Sequence, residues 1–229
     1  MAVFIFGRSG SPLLFSETFS ENSWADIIKA CQMNKVPDAW KIGDYKPMTI
    51  NGAEYGIVII GKVHDNYSDG TGKAPLTFQL RDCYATDYRM NSSHTNAGGW
   101  GSCEMRKTNL PAILSKMPAD VKDGIRQVNK LTSEGNGGSK IVTTADKLFL
   151  LSEVEIFGVV SSAAPGEGTR YPYFAEYGTV KYKNGESYFW KARSPWEYNG
   201  DTFVAVNTDG TPGGDGAGYA GGVSFAFCF

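Results

Sequence analysis

The stretch Tyr45-Lys46-Pro47-Met48-Thr49-Ile50-Asn51-Gly52-Ala53-Glu54-Tyr55-Gly56-Ile57-Val58-Ile59-Ile60-Gly61-Lys62-Val63 decides the fold class. Two β-rich runs, residues 45–50 and 54–63, flank Asn51-Gly52. That dipeptide suits a two-residue hairpin, because such a turn needs positive φ at both central positions. The run Gly56-Ile57-Val58-Ile59-Ile60-Gly61 is apolar on both faces, which predicts a strand inside a sheet rather than at its edge. An antiparallel sheet is therefore the frame for the rest of the chain.

Downstream of the hairpin comes a polar loop, residues 64–73, and then a strand at residues 76–80. Upstream, Trp24, Ile27, Ile28 and Cys31 stand at the spacing of one helical face. Ser20 or Asn22 can cap that helix, Glu21 and Asp26 suit its positive end, and it should stop near Asn34, before Pro37. Residues 1–20 are apolar and then punctuated by Gly, Ser and Pro, with too little periodicity for a core of their own. They read as an N-terminal arm for anchoring or oligomerisation, or else as an edge strand and loop. Residues 21–229 read as a single domain.

Further along, Asn96-Ala97-Gly98-Gly99-Trp100-Gly101 predicts a tight turn beside a buried indole. Ser102 should cap a helix through Glu104, Met105 and Arg106, restarted at Pro111, with Leu110, Ile113, Leu114 and Met117 on one face. Residues 118–128 read as another short helix and residues 133–140 as a flexible loop. Leu148-Phe149-Leu150-Leu151 must be buried in any arrangement. Strands are expected at residues 202–207 and 222–229, around a glycine-rich segment that is either a mobile tip or a backbone-built surface. The fold class is α+β.

Composition excludes several functions. The 229 residues carry a net charge of −2, too balanced for a broad nucleic-acid-binding face. Aromatic residues at 13% exclude a disordered chain. No apolar run approaches a membrane span, and the N-terminus lacks the pattern of a secretory signal, so a soluble protein made in the cytoplasm is expected. Cys31, Cys83, Cys103 and Cys228 form no Cys-x-x-Cys pair. They read as reduced, buried residues, with a Cys83–Cys103 disulfide as the alternative outside cells.

Three constellations could carry chemistry. Asp65-Asn66-Tyr67-Ser68-Asp69-Gly70 begins like a calcium-binding EF-hand loop, but Leu76 stands where the closing Glu belongs, so a solvated Asx turn is the better reading. His94 and Cys103 hold the residue types of an activated thiol, yet Cys103 falls in a predicted amphipathic helix and reads as core. Glu153 and Glu155 fit one face of a strand, as a polar face, a salt bridge or, less well, a glycosidase pair. No catalytic residue, metal or cofactor is expected. The aromatic residues concentrate in the last third. Trp196, Tyr198 and Tyr219, set among Asn, Gly, Asp and Glu, have the composition of a recognition surface. The candidate ligand-binding residues are therefore Trp196, Tyr198, Asn199, Asp201, Asp209, Asp215 and Tyr219; a subunit interface or a plain exposed loop are the competing readings.

Several phrases recur in a familiar order: Gly43-Asp44, Ile60-Gly61-Lys62-Val63-His64-Asp65, Gly72-Lys73-Ala74-Pro75-Leu76-Thr77-Phe78, Gly98-Gly99-Trp100-Gly101-Ser102-Cys103-Glu104-Met105-Arg106, Lys147-Leu148-Phe149-Leu150-Leu151-Ser152-Glu153-Val154-Glu155 and Arg193-Ser194-Pro195. Over residues 20–229 the chain resembles an uncharacterised domain family found in tail-region proteins of phages infecting Gram-positive bacteria and in surface proteins of gut bacteria. The ending resembles that of C-type-lectin-like domains, the group that includes formylglycine-generating-enzyme-like domains. Here Trp190-Lys191-Ala192-Arg193-Ser194-Pro195 is one residue longer than the family's Trp-Leu-Arg-Ser-Pro, and Gly222-Val223-Ser224-Phe225 replaces Gly-Val-Arg-Pro. The resemblance implies a twisted, mainly antiparallel sheet with two or three flanking helices and long late loops. It also implies a virion protein of the tail or fibre region that binds a bacterial surface glycan or protein and contacts other virion proteins, as a homo-oligomer, without nucleic acid or membrane insertion. A purely structural decoration or baseplate protein and a cell-wall glycan-acting enzyme are the alternatives.

Overall fold

The computed structural model describes residues 2–6 and 12–229, with side chains from Phe15 onward. Its central sheet is built on the hairpin read above. Strand β3 (Tyr45–Ile50) and strand β4 (Ala53–Lys62) pair antiparallel, with Ile50 opposite Ala53. Asn51 and Gly52 take φ values of 52° and 80°, the left-handed pair that a two-residue turn demands. Strand β5 (Leu76–Leu80) lies beside β4, so β4 is interior, and Ile57, Val58, Ile59 and Ile60 are all buried. In chain order the later partners are β8 (Leu148–Phe149) and β14 (Ala226–Cys228), giving a five-stranded antiparallel sheet β3-β4-β5-β14-β8.

Helix α1 (Trp24–Gln32) packs Ile27, Ile28, Ala30 and Cys31 into the core. Its cap is Ser23, which forms a reciprocal capping box with Asp26, rather than Ser20 or Asn22. Asn22 is committed elsewhere: its side chain accepts from the Ser16 amide and donates to the Ser16 and Thr18 carbonyls. Asn34 adopts φ 51° just past the helix end, where the sequence places the stop.

The first two strands, β1 (Ala2–Phe6) and β2 (Pro12–Ser16), form a hairpin of their own, and the segment expected to be an arm reaches the core through Phe15 and Phe19, which meet Trp40 edge-on. Helix α2 (Gly99–Ser102) ends at Ser102 instead of starting there, since Cys103 is extended; a π-type turn, Met105–Asn109, then leads into helix α3 (Leu110–Leu114). Helix α4 (Ala119–Gly124) is shorter than the stretch read from the sequence.

The expected flexible loop at residues 133–140 is instead the tip of a long hairpin. Strands β6 (Val128–Gly135) and β7 (Gly138–Asp146) pair across Asn136-Gly137. Their Lys, Thr and Ser content hid the alternation, because the inward face of β6 buries Lys130 and Thr132 beside Val128. Glu153 and Glu155 sit in the first turn of helix α5 (Glu153–Phe157), not on a strand. The last third holds helix α6 (Tyr173–Glu176), the hairpin of β9 (Lys181–Lys183) and β10 (Glu186–Tyr188), and the sheet of β11 (Trp190–Pro195), β12 (Thr202–Val206) and β13 (Pro212–Gly216). Residues 222–229 form a regular strand only at β14, and Phe225 is wholly buried. All four cysteines are free and buried, so Cys83 and Cys103 are not paired. The architecture is α+β with mostly antiparallel sheets and short helices. No helix among the described residues is long and apolar enough to cross a membrane.

Candidate functional site

Two polar constellations stand out, one sealed and one open. The sealed one centres on Arg193 in β11, which is fully buried. Its guanidinium makes a forked contact with the Glu155 carboxylate and donates to Thr132 Oγ1 at 3.0 Å and to the carbonyls of Leu150 (2.9 Å), Leu131 (3.0 Å) and Glu167 (2.9 Å). Lys130 Nζ stands 2.7 Å from both Asp65 Oδ1 and Glu155 Oε1, and lies over the Phe149 ring. Tyr171 and Thr77 donate to Asp65 from the other side. Burial would push Asp65 and Glu155 up, but Lys130 and Arg193 outweigh it and hold both carboxyls below their ordinary range. Glu167, which accepts from Ser194 Oγ and the Ser133 amide, is pushed up by burial. Every donor of Arg193 is used, so this centre fastens β6, β11, α5 and the segment after α5 to one another.

That arrangement settles two candidates from the sequence. Glu155 belongs to the ionic centre and also closes the capping box of α5 with Ser152. Glu153 accepts from the Ser162 and Ala163 amides and from Ser161 Oγ. Neither is a polar face of a sheet. Asp65 turns inward, while Asp69 closes an Asx turn with Thr71, 3.0 Å from its amide, and pairs with Arg126. Hydrogen bonds from Thr71 lower the Asp69 pKa to about 2. Among the described residues no three His, Cys, Asp or Glu side chains are grouped to hold a metal ion. Burial pushes the Cys103 thiol up to about 12, and His94 packs instead against Gly218 and Tyr219.

The open constellation lies at one end of the β11-β12-β13 sheet. Its organiser is Asn96, fully buried, a residue singled out in the sequence only as part of a tight turn. The Asn96 amide donates to the carbonyls of Trp196 (3.3 Å), Asn199 (2.7 Å) and Thr202 (2.8 Å), while its Oδ1 accepts from the Asn136 amide at 2.6 Å. The Asn96 backbone amide adds a bond to the Gly200 carbonyl at 2.7 Å. One side chain therefore ties the turn after β11 to the tip of the β6-β7 hairpin. The fit leaves no room for side chains: a Cβ on Gly135 would lie 2.0 Å from the Asn96 carbonyl oxygen. Asn199 Oδ1 accepts from the Asp201 amide, and the Asp201 carbonyl accepts from Ala217, which brings the turn carrying Tyr219 alongside.

From this braced end, Tyr198 projects with 82% of its surface exposed and Tyr219 with 61%. His94 meets the Tyr219 ring edge-on at 5.1 Å between centroids. Trp196 is half-buried, its ring over Gly214, so it supports the surface more than it presents it. The structure thus brings together Tyr198, Asn199, Asp201 and Tyr219, with Trp196 beneath.

Asp209 does not join them, and Asp215, opposite Phe203 one step from the Thr202–Gly216 end, has its carboxylate engaged. Thr202 faces Gly216 and Val206 faces Pro212 along the β12-β13 ribbon, so the turn holding Asp209 is at the opposite end, roughly 15 Å away at strand rise. There Asp209 closes an Asx turn with Thr211. Asp215 pairs with the buried ammonium of Lys191. Both acids border a separate depression of about 470 Å³ with Phe189, Ala205 and Asn207. The sequence put them with the others because a glycine-rich segment hides a strand; three of the five residues of β13 are glycine and little else marks it.

No curated protein and no solved structure matches the chain. A family described as a domain of unknown function, DUF6273, matches residues 76–228. That span is well over half of the chain and contains the whole open constellation and all of the ionic centre except Asp65. The chain belongs to the DUF6273 family.

Proposed function

We propose that this chain is a recognition module of a phage virion, in the tail or fibre region, that binds a bacterial surface ligand through the loop end around Tyr198 and Tyr219. The supporting observation is the exposure of two aromatic rings on adjoining turns, that of Tyr198 held by the buried Asn96 and that of Tyr219 by the bond from Ala217 to the Asp201 carbonyl. Exposed Tyr offers contact area with few rotamers to freeze, and bracing lowers the ordering cost of binding. A C-type-lectin-like arrangement is part of the same reading: the late strands carry the turns of Tyr198 and Tyr219 to one end. The hairpin of β1 and β2 would join the module to sister subunits or to other virion proteins, and repeated weak contacts would then add by avidity.

The test is sedimentation of the purified chain with whole cells and isolated cell walls from a panel of Gram-positive and gut bacteria. Retention by some members is expected, with loss in the Tyr198→Ala/Tyr219→Ala double variant. Retention that survives the double substitution moves the binding face elsewhere. No retention by any member favours a structural virion component.

A further inference from the structure

Beside the turn that carries Tyr198 runs an open trough of about 590 Å³, within the roughly 300–1,000 Å³ range of ligand sites. Its walls include Gly98, Gly135 and Gly138, which keep the trough open, with Ser102, Glu134 and Asn136 as the polar side chains. The apolar side chains in the lining are Ala97 and Val142, both small. Such walls hold no large apolar side chain to grip a hydrophobic ligand, and their hydroxyl, amide and carboxylate can bond a polyhydroxylated one. The Ser102 hydroxyl and the Asn136 side-chain amide make no hydrogen bond within the described chain, so both are available. The trough and the aromatic turn are contiguous. A Cβ on Gly200 would lie 2.9 Å from Asn136 Oδ1, and one on Gly137 would lie 3.7 Å from the Glu197 carbonyl oxygen. The charge nearby is acidic: Glu197 and Asp201 have no basic partner here, and Lys140 is spent on Glu134. A polyanion would meet repulsion at this surface.

Resting on the recognition reading above, we infer that the trough and Tyr198 form one subsite for a neutral pyranose glycan, bound without metal. The sugar's C–H face lies on the Tyr198 ring, whose negative π-face favours polarised C–H groups. Its hydroxyls bond Asn136, Ser102 and the Glu134 carboxylate.

The experiment is amide NMR on the full chain, titrated with neutral tetrasaccharides of glucose, galactose, mannose and N-acetylglucosamine, and separately with poly(glycerol phosphate). At least one neutral sugar should shift the amides of Gly98, Gly135, Asn136 and Gly138. Affinity should fall about tenfold or more in Tyr198→Ala and in Asn136→Ala, and hold in Tyr45→Ala, whose exposed ring lies on β3. Silence with all four sugars, or tighter binding of the polyanion, overturns the inference. Cell retention that depends on Tyr198 in the face of such silence would leave the recognition reading standing, so the two failures are distinguishable.

Discussion

The centre around Arg193 and the loop end around Asn96 each bury one multidentate polar side chain that holds separate segments together, yet they leave different things at the surface. Arg193 consumes its donors on carbonyls and on Glu155, and the charged side chains around it, Glu155, Lys130 and Asp65, are all buried. Asn96 does the same with its amide and carbonyl, but the turn it fixes presents Tyr198 outward, beside the adjoining turn of Tyr219. The residues that catch the eye in the sequence, Arg193-Ser194-Pro195 and the acidic Glu153 and Glu155, turn out to be fasteners. The most exposed aromatic residues, Tyr198 and Tyr219, sit in turns that carry no such motif. A recognisable motif marks what the fold cannot do without, which is a different quantity from what the molecule touches.

Breaking the sealed centre should have the largest effect. Arg193→Ala removes the counter-charge of Glu155 in a dry site, a loss of about 3–5 kcal/mol, or a fall in melting temperature of about 10 °C or more. Thermal melts read this directly, and a change of under ~1 kcal/mol would show that the centre is not a fastener.

Acid should be the next lever. The folded pKa values of Asp65 and Glu155 lie below their ordinary values of 3.8 and 4.5. Their contribution is therefore complete above the ordinary values and drains away as pH falls toward the folded ones. Glu167 works the other way: its raised value adds stability below the ordinary 4.5 that is lost as pH rises through the folded value. With two carboxyls against one, stability should drop below about pH 4. Melts between neutral pH and this range should show the drop, and Asp65→Asn should flatten it.

Asn96→Ala sharpens the comparison at the open end. It leaves the Asn136 amide and three carbonyls without their partner, costing about 1–3 kcal/mol. Hydrogen exchange should quicken at Asn136 and Thr202 while the β4 amides stay protected; protection lost equally everywhere would make Asn96 part of the global core. The smallest effect on stability belongs to Tyr198→Ala, within about 0.5 kcal/mol, because the ring contacts little. This variant should melt like the parent and still fail in the cell-sedimentation assay.

Much of the frame was legible in the chain itself. The Asn51-Gly52 hairpin, the interior position of β4, strand β5, the apolar face of α1 and the burial of Leu148-Phe149-Leu150-Leu151 follow from period, turn chemistry and hydrophobicity, all local properties. So does the exposure of Tyr198 and Tyr219, whose small polar neighbours give a core nothing to pack. Local pattern failed at β6, where the buried face carries Lys130 and Thr132, and at β13, where glycines erase the alternation. Both depend on partners distant in sequence: Lys130 is tolerable inside only because Asp65 and Glu155 arrive from elsewhere, and glycine is needed at Gly214 because Trp196 and Thr202 close over it. The separation of Asp209 from Tyr198, the pairing of Asp215 with Lys191 and the choice of Asn96 as the brace were likewise decided by tertiary structure. Charge compensation and close approach act through space, and a chain read in order carries no record of which residues will meet there.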